Sequence, residues 1–205
     1  DGPTVSAIAA AARDVNAVVH AGSIIERDED GDLWNTSVVI GPDGTTLARY
    51  RKIHRFGFGT GEPKLLQPGR EIVTFDLAVP EAPGRTVRVG LATCYDLRFP
   101  ELFRQLLDAG AELVLVPAAW PVARVAHWTL LGQARAIENQ VVIVAVNTTG
   151  THAGHEMGGC SQVVAATGQV LGDLGSAATT LIVDVDLDGI ARAREAFPVL
   201  GDRRL

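Results

Sequence analysis

Residues 86–147 constrain the fold most: TVRVGLATC, FPELFRQLLDAG, AELVLVP, AHWTLLGQARAIENQ and VVIVAVN follow one another with little between them. The first segment alternates β-branched residues. AELVLVP and VVIVAVN are almost continuously apolar, as strands covered on both faces are. The intervening segments have helical length, with Pro100 in the first turn of one and Gly110 as its stop. Strand, helix, strand, helix, strand requires crossover connections, so the expected class is α/β with helices layered on a parallel sheet.

The flanking sequence adds further elements. Val5, Ile8, Ala9 and Ala12 recur at helical spacing behind Thr4, which reads as an N-cap. AVVHAGSII and LWNTSVVI read as strands, with ERDEDGD as a solvated hairpin tip between them. GPDG (41–44) turns the chain into TTLARY. The polar stretch from Arg51 to Gly69 is too long for a simple connection, and loops of that length are usually functional or mobile. After a loop over 147–160, SQVVAAT, GQVLGDL and TTLIVDVDL read as strands, and DGIARAREAF as a closing helix capped by Asp188. The mixture predicts sheets with helices outside rather than a single Rossmann unit. The 205 residues suit one domain.

Charge excludes one broad class of function. Eighteen Lys and Arg against 24 Asp and Glu give −6, which disfavours general nucleic-acid binding. No apolar run reaches the length of a membrane span, and residues 1–14 do not read as a secretory signal. Cys94 and Cys160 form no C-x-x-C pair, which fits a reduced, cytoplasmic setting better than a disulfide framework.

Cys94 is the most informative residue. It falls at the carboxyl end of a strand, just before a turn and a helix, where α/β proteins place reacting groups. Position alone leaves two readings open, an exposed nucleophile or a buried structural thiol. The company it keeps is informative. GLATCYDLRFPEL resembles the cysteine motif of the nitrilase superfamily of carbon–nitrogen hydrolases, and RKIH (51–54) resembles its lysine motif. AHWTLLGQARAIENQ, GGCSQVVAATGQVLGDLG and DVDLDGIARAREAFP continue the likeness to the end of the chain. CYDLRFPE, AAWP and AHW are most similar to the small amidases that resemble omega-amidase and deaminated glutathione amidase.

That resemblance implies a four-layer αββα sandwich in one carbon–nitrogen hydrolase domain over residues 1–205, assembled as a homodimer or higher homo-oligomer. It implies a Glu–Lys–Cys triad in which Cys94 is the nucleophile and Lys52 the lysine, with Glu62 matching an accessory glutamate. The family's catalytic glutamate lies upstream, in a proline–glutamate motif. Here the chain opens on DGPT, and only Glu26 and Glu29 precede Lys52. The expectation is therefore a chain lacking its N-terminal strand–helix segment, with a degenerate member or a base supplied from elsewhere as alternatives. Neither Glu26 nor Glu29 is assigned as the base.

The implied chemistry is amide hydrolysis through a thioester, releasing ammonia, with no metal and no organic cofactor. Lys52 would favour the thiolate and stabilise the oxyanion, with the backbone N–H of Tyr95 as second donor. Without the family, Lys52 reads as a solvated cation beside Arg51 and Arg55. Arg98, four residues after Cys94, suits a substrate carboxylate or a structural ion pair with Asp96, Glu101 or Asp108. Trp120, Phe56 and Phe58 read as pocket walls or as core. The expected substrate is a small linear amide bearing a carboxylate. A nitrilase, a carbamoyl-amide hydrolase, an acyltransferase or a non-catalytic member would reuse the same framework. DVDLDGIARARE matches a calcium-loop pattern without the flanking helices that loop needs. GFGTG lacks the Lys-Ser/Thr of a phosphate loop. His152, His155 and Cys160 lack standard zinc spacing.

Overall fold

Pro3 starts the chain as helix. In the structure, a computed structural model describing residues 2–204, α1 runs Pro3–Val15 with Pro3 in its first turn. The N-cap is Gly2, and Thr4 lies inside the helix rather than capping it. The ring of proline sets a helical φ one residue before the expected start. Asn16 ends α1 in the left-handed region. The backbone forms two compact units, residues 1–75 and 76–205.

In the first unit, β1 (Val19–Arg27), β2 (Leu33–Ile40) and β3 (Thr46–Arg51) make an antiparallel sheet in that order. α1 packs on it: Ala12, Val38 and Ile40 are buried, with Val5, Ile8, Ala9 and Val19 against them. The hairpin between β1 and β2 closes on Asp28, which accepts from the Asp32 amide at 2.9 Å and Trp34 Nε1 at 2.8 Å. Glu26 is not part of that tip. It lies within β1, where Arg51 and Thr36 hold its carboxylate. The long loop after β3 contains one short helix, α2 (Glu62–Leu65).

The second unit is built on a six-stranded sheet. The strands are β4 (Thr74–Ala78), in which the division between units falls, β5 (Thr86–Leu91), β6 (Leu113–Ala118), β7 (Val142–Asn147), β10 (Gln162–Val164) and β11 (Val170–Asp173), ordered β11-β10-β7-β6-β5-β4. A two-stranded hairpin, β8 (Thr151–His152) and β9 (His155–Glu156), precedes β10. β5, β6 and β7 are parallel, with Leu91 opposite Leu115 and Ala118 opposite Asn147, while β10 and β11 return antiparallel. The crossovers are α3 (Pro100–Asp108) and α4 (Val125–Asn139). α3 buries Leu102, Phe103 and Leu106, and α4 buries Trp128 and Ala136. Each of the Leu and Phe side chains is worth about 1.5–3 kcal/mol removed from water.

Two C-terminal expectations differ from the structure. TTLIVDVDL forms no strand among the described residues. Leu181 and Val183 pack over Gly172 and Ile182 is exposed, so the period-two pattern survives without a ladder. The last helix, α5 (Asp188–Ala196), has Asp188 as its first residue instead of its cap. The Gly189 amide is capped by Asp186 at 3.1 Å, and Asp188 pairs with Arg85 at 2.7 Å. Among the described residues no helix is long and apolar enough to cross a membrane. The α/β class holds, each unit being helix packed on sheet.

Candidate active site

The carboxyl ends of β5, β6 and β7 lie side by side, as parallel pairing in register requires. β5 stops at Leu91, three residues short of the expected Cys94, though the Ala92 amide still donates to Leu115 O at 3.1 Å. The chain then breaks sharply. Thr93 is extended, Cys94 has φ +51°, and residues 94–98 form a 3₁₀ turn. A capping box closes it. The Asp96 carboxylate accepts from the Thr93 amide at 2.9 Å, and the Thr93 hydroxyl accepts from the Asp96 amide. A non-glycine residue in the left-handed region at a strand–turn–helix junction is the geometry of a nucleophile elbow. Tyr95, next in chain, stacks edge-on against Phe99 at 5.2 Å.

The turn is tied to α4 by Arg135, 4% exposed, whose Nε donates to Leu97 O at 3.1 Å. The same guanidinium pairs with Glu138 at 2.7 Å and lies 5.4 Å from the Phe103 ring. Trp120, just past β6 and 3% exposed, stacks on Trp128 at 5.5 Å. Asn147, the last residue of β7, holds Trp120 as a strand partner would. Its Oδ1 accepts from the Trp120 amide at 2.6 Å, and its Nδ2 donates to Trp120 O at 3.2 Å and Gly159 O at 2.8 Å.

Arg98 makes none of the ion pairs weighed for it. Asp96 caps Thr93, Asp108 pairs with Arg203, and among the described residues no carboxylate lies within ion-pair distance of Arg98. Its guanidinium sits 4.6 Å over the Trp120 ring and 3.3 Å from His127 Nδ1. It is a cation held in place by an aromatic face and an imidazole, free to take an anion.

The first unit contains a second arrangement. Lys52, directly after β3, is 3% exposed and not the solvated cation its neighbours suggested. Its amide donates to Asn35 O at 2.8 Å, and its carbonyl accepts from the Gly69 amide at 2.9 Å. Gly69 is obligatory there, because a Cβ would stand 1.9 Å from Arg51 O. Lys52 Nζ donates to Glu62 Oε2 at 2.7 Å. Glu62 also accepts from the Phe56 amide at 2.5 Å and from Asn35 Nδ2 at 2.8 Å. Burial works to raise the Glu62 pKa, but the Lys52 charge and the three donors outweigh it and hold the carboxyl below its ordinary value.

Of the remaining candidates, Phe58 is 85% exposed and Phe56 stacks edge-on against it, so Phe58 walls nothing within its unit. Cys160 also has positive φ, but burial and Asp173 push its thiol upward, away from the thiolate. Among the described residues no three His, Cys, Asp or Glu side chains converge as metal ligands. Arg51 and Thr36 hold Glu26 ionised, with a lowered pKa, which unfits it as a base near neutrality. The residues missed by sequence reasoning are Asn35, Asn147, Arg135 and the Thr93–Asp96 box. Only the last had a readable signal, the Thr-x-x-Asp spacing of TCYD.

A sequence profile described as carbon–nitrogen hydrolase matches residues 1–195. The chain belongs to the carbon–nitrogen hydrolase family. It is 45% identical over 196 residues to a 2-oxoglutaramate amidase of Paenarthrobacter nicotinovorans, covering 94% of this chain and 66% of that protein. It is 36% identical to the human omega-amidase NIT2, over 99% of this chain and 74% of that one. Among solved structures, a mutant amidase from Nesterenkonia sp. AN1 superposes with TM-score 0.79 at 28% identity, covering 97% of this chain and 72% of that one. That structure carries the acetamide moiety of fluoroacetamide added covalently at its active-site cysteine. The carbon–nitrogen hydrolase thus spans just under two thirds of the first relative's length and about three quarters of the others'. Its fold is that of the nitrilase superfamily.

Proposed function

We propose that this protein is a cysteine amidohydrolase that cleaves a small, linear, carboxylate-bearing amide through a thioester and releases ammonia. One observation carries the reading. The only cysteine in the family's cysteine motif is also a non-glycine residue at φ +51° on a buttressed turn at the carboxyl end of a parallel strand.

In this reading the Cys94 thiolate attacks the amide carbon, and the carbonyl pair moves onto oxygen. The oxyanion collapses, the C–N bond breaks and nitrogen leaves as ammonia after gaining a proton. Water then attacks the thioester, the C–S bond breaks, and the acid and free thiol are restored. The family's lysine and cysteine motifs join Lys52 to this reaction as the cation that favours thiolate and oxyanion. Tyr95 N–H, next in chain at the elbow, is the proposed second donor. One such donor is worth about 3–4 kcal/mol of barrier. Glu62 keeps Lys52 oriented.

Arg98 supplies the specificity. A guanidinium stacked on Trp120, without a carboxylate partner among the described residues, suits the far end of a substrate that is amide at one end and acid at the other, as 2-oxoglutaramate is. The reading includes a single domain over 1–205 working as an assembly of two or more copies, in a reduced cytoplasmic setting where both thiols stay free.

The test is intact-mass spectrometry during incubation with 2-oxoglutaramate and with a matched amide lacking the carboxylate. An acyl adduct mapping to Cys94, absent in Cys94→Ala and strongest with the acidic amide, is expected. Ammonia release undiminished by Cys94→Ala would overturn the proposal.

A further inference from the structure

Glu62 accepts three hydrogen bonds, and one of them comes from a residue with no assigned role. Lys52 Nζ and the Phe56 amide both address Oε2. Oε1 is addressed by Asn35 Nδ2, at 2.8 Å, from β2. Asn35 therefore decides which way the plane of the carboxylate faces, since two donors on one oxygen leave rotation about the other unopposed.

The orientation of the Asn35 amide is itself determined. Flipping it would set Oδ1 against the Glu62 carboxylate, exchanging a charge-assisted bond for repulsion. Oδ1 is buried and, among the described residues, without a partner. Leaving a buried amide oxygen unmatched costs about 1–3 kcal/mol, so the site accepts a penalty to keep Nδ2 on Glu62. Asn35 also holds Lys52 by the main chain, its carbonyl accepting the Lys52 amide at 2.8 Å. One residue thus grips both ends of the lysine, the backbone directly and the ammonium through Glu62.

We propose that Asn35 is a positioning residue that fixes the Glu62 carboxylate and thereby sets the direction of the Lys52 ammonium. An ammonium has three N–H bonds. With one directed at a fixed Glu62 Oε2, the cone available to the other two is set by the amide on β2. The kinetic consequence rests on the amidohydrolase reading above, but the electrostatic one does not. Among the described residues, Lys52 is the charged group that acts on Glu62. Lys52 comes from the end of β3, and Arg55, on the same loop, is committed to Pro63 O and Leu66 O at 3.2 and 2.8 Å.

The experiment follows the ¹³C carboxyl resonance of Glu62 through a pH titration in the wild type, Asn35→Ser and Asn35→Asp. The serine hydroxyl is too short to reach Oε1, and the aspartate keeps the shape while adding a second carboxylate. The Glu62 midpoint is expected to rise in Asn35→Ser and further in Asn35→Asp, where two acids compete for one proton. Steady-state kinetics on the same samples should show kcat falling about tenfold with KM little changed, and the acid limb of kcat/KM moving up with the midpoint. An unchanged Glu62 midpoint in both folded variants would overturn the proposal, whatever the activity. A shifted midpoint in a protein whose turnover ignores Cys94→Ala would uphold the role of Asn35 and sink the amidohydrolase reading instead.

Discussion

Replacing Cys94 separately by alanine and by glycine tests whether the elbow is as strained as its backbone states. Both variants lose the same sulfur, so their difference isolates one β-carbon. At φ +51° that carbon crowds the following carbonyl at a cost of about 1–2 kcal/mol. Glycine escapes this cost but gains freedom in the unfolded chain, which takes back about 0.4–1 kcal/mol. The balance favours glycine by about 0.5–1 kcal/mol, which for a chain of this size is a melting rise of about 1–4 °C over alanine. In a right-handed turn the sign reverses, because glycine there costs about 0.5–1 kcal/mol relative to alanine. Urea unfolding of the two variants, with thermal melts as a check, reads the sign directly. A glycine variant less stable than the alanine variant would refute the strained elbow, and with it the observation on which the nucleophile assignment leans most.

Two further outcomes can be checked on single variants. His20 in β1 has a buried Nε2 without a partner among the described residues, and burial lowers its pKa from 6.5 to about 4. Because the unfolded chain takes up that proton first, stability should fall as pH drops from 6.5 toward 4, by about 3 kcal/mol at most. His20→Gln should flatten that slope in urea titrations run across the window, and an equal slope in the variant would exclude His20 as the cause. Asn147→Ala strands the Trp120 amide and the Gly159 carbonyl in a site where Asn147 is 6% exposed, while Trp120 O keeps the Gly158 amide. The expected loss is about 2–4 kcal/mol, with a red-shifted, more quenchable Trp fluorescence. A variant as stable as wild type would mean that Trp120 is held by its stacking alone.

Much of the fold was legible because strand and helix have different periods. β2 begins and ends at the residues read from LWNTSVVI, and β5 through β7 with their two crossover helices follow from apolar runs bounded by Pro100 and Gly110. TTLIVDVDL was misread because alternation reports which residues are covered, not whether a strand lies alongside. Glu26 was misjudged for a related reason, and the solvated reading that the neighbours of Lys52 suggest fails in the same way. A charged residue among charged neighbours looks solvated, and nothing local reveals a partner 10 or 25 positions away.

Taken alone, the order of residues determined the class of fold and the family, and it singled out Cys94 and Lys52 as the proposed nucleophile and lysine, because those properties reside in periodicity and in short motifs. Only the folded chain decided the environment of each group. It put Cys94 in the left-handed region, left Arg98 without a carboxylate partner among the described residues, and brought Asn35 to Glu62 and Asn147 to Trp120. The last two are contacts between residues 27 apart. The β6–β7 register brings Asn147 to Trp120, and the return of the loop after β3 brings Glu62 to Asn35; both depend on how distant segments meet rather than on any segment alone.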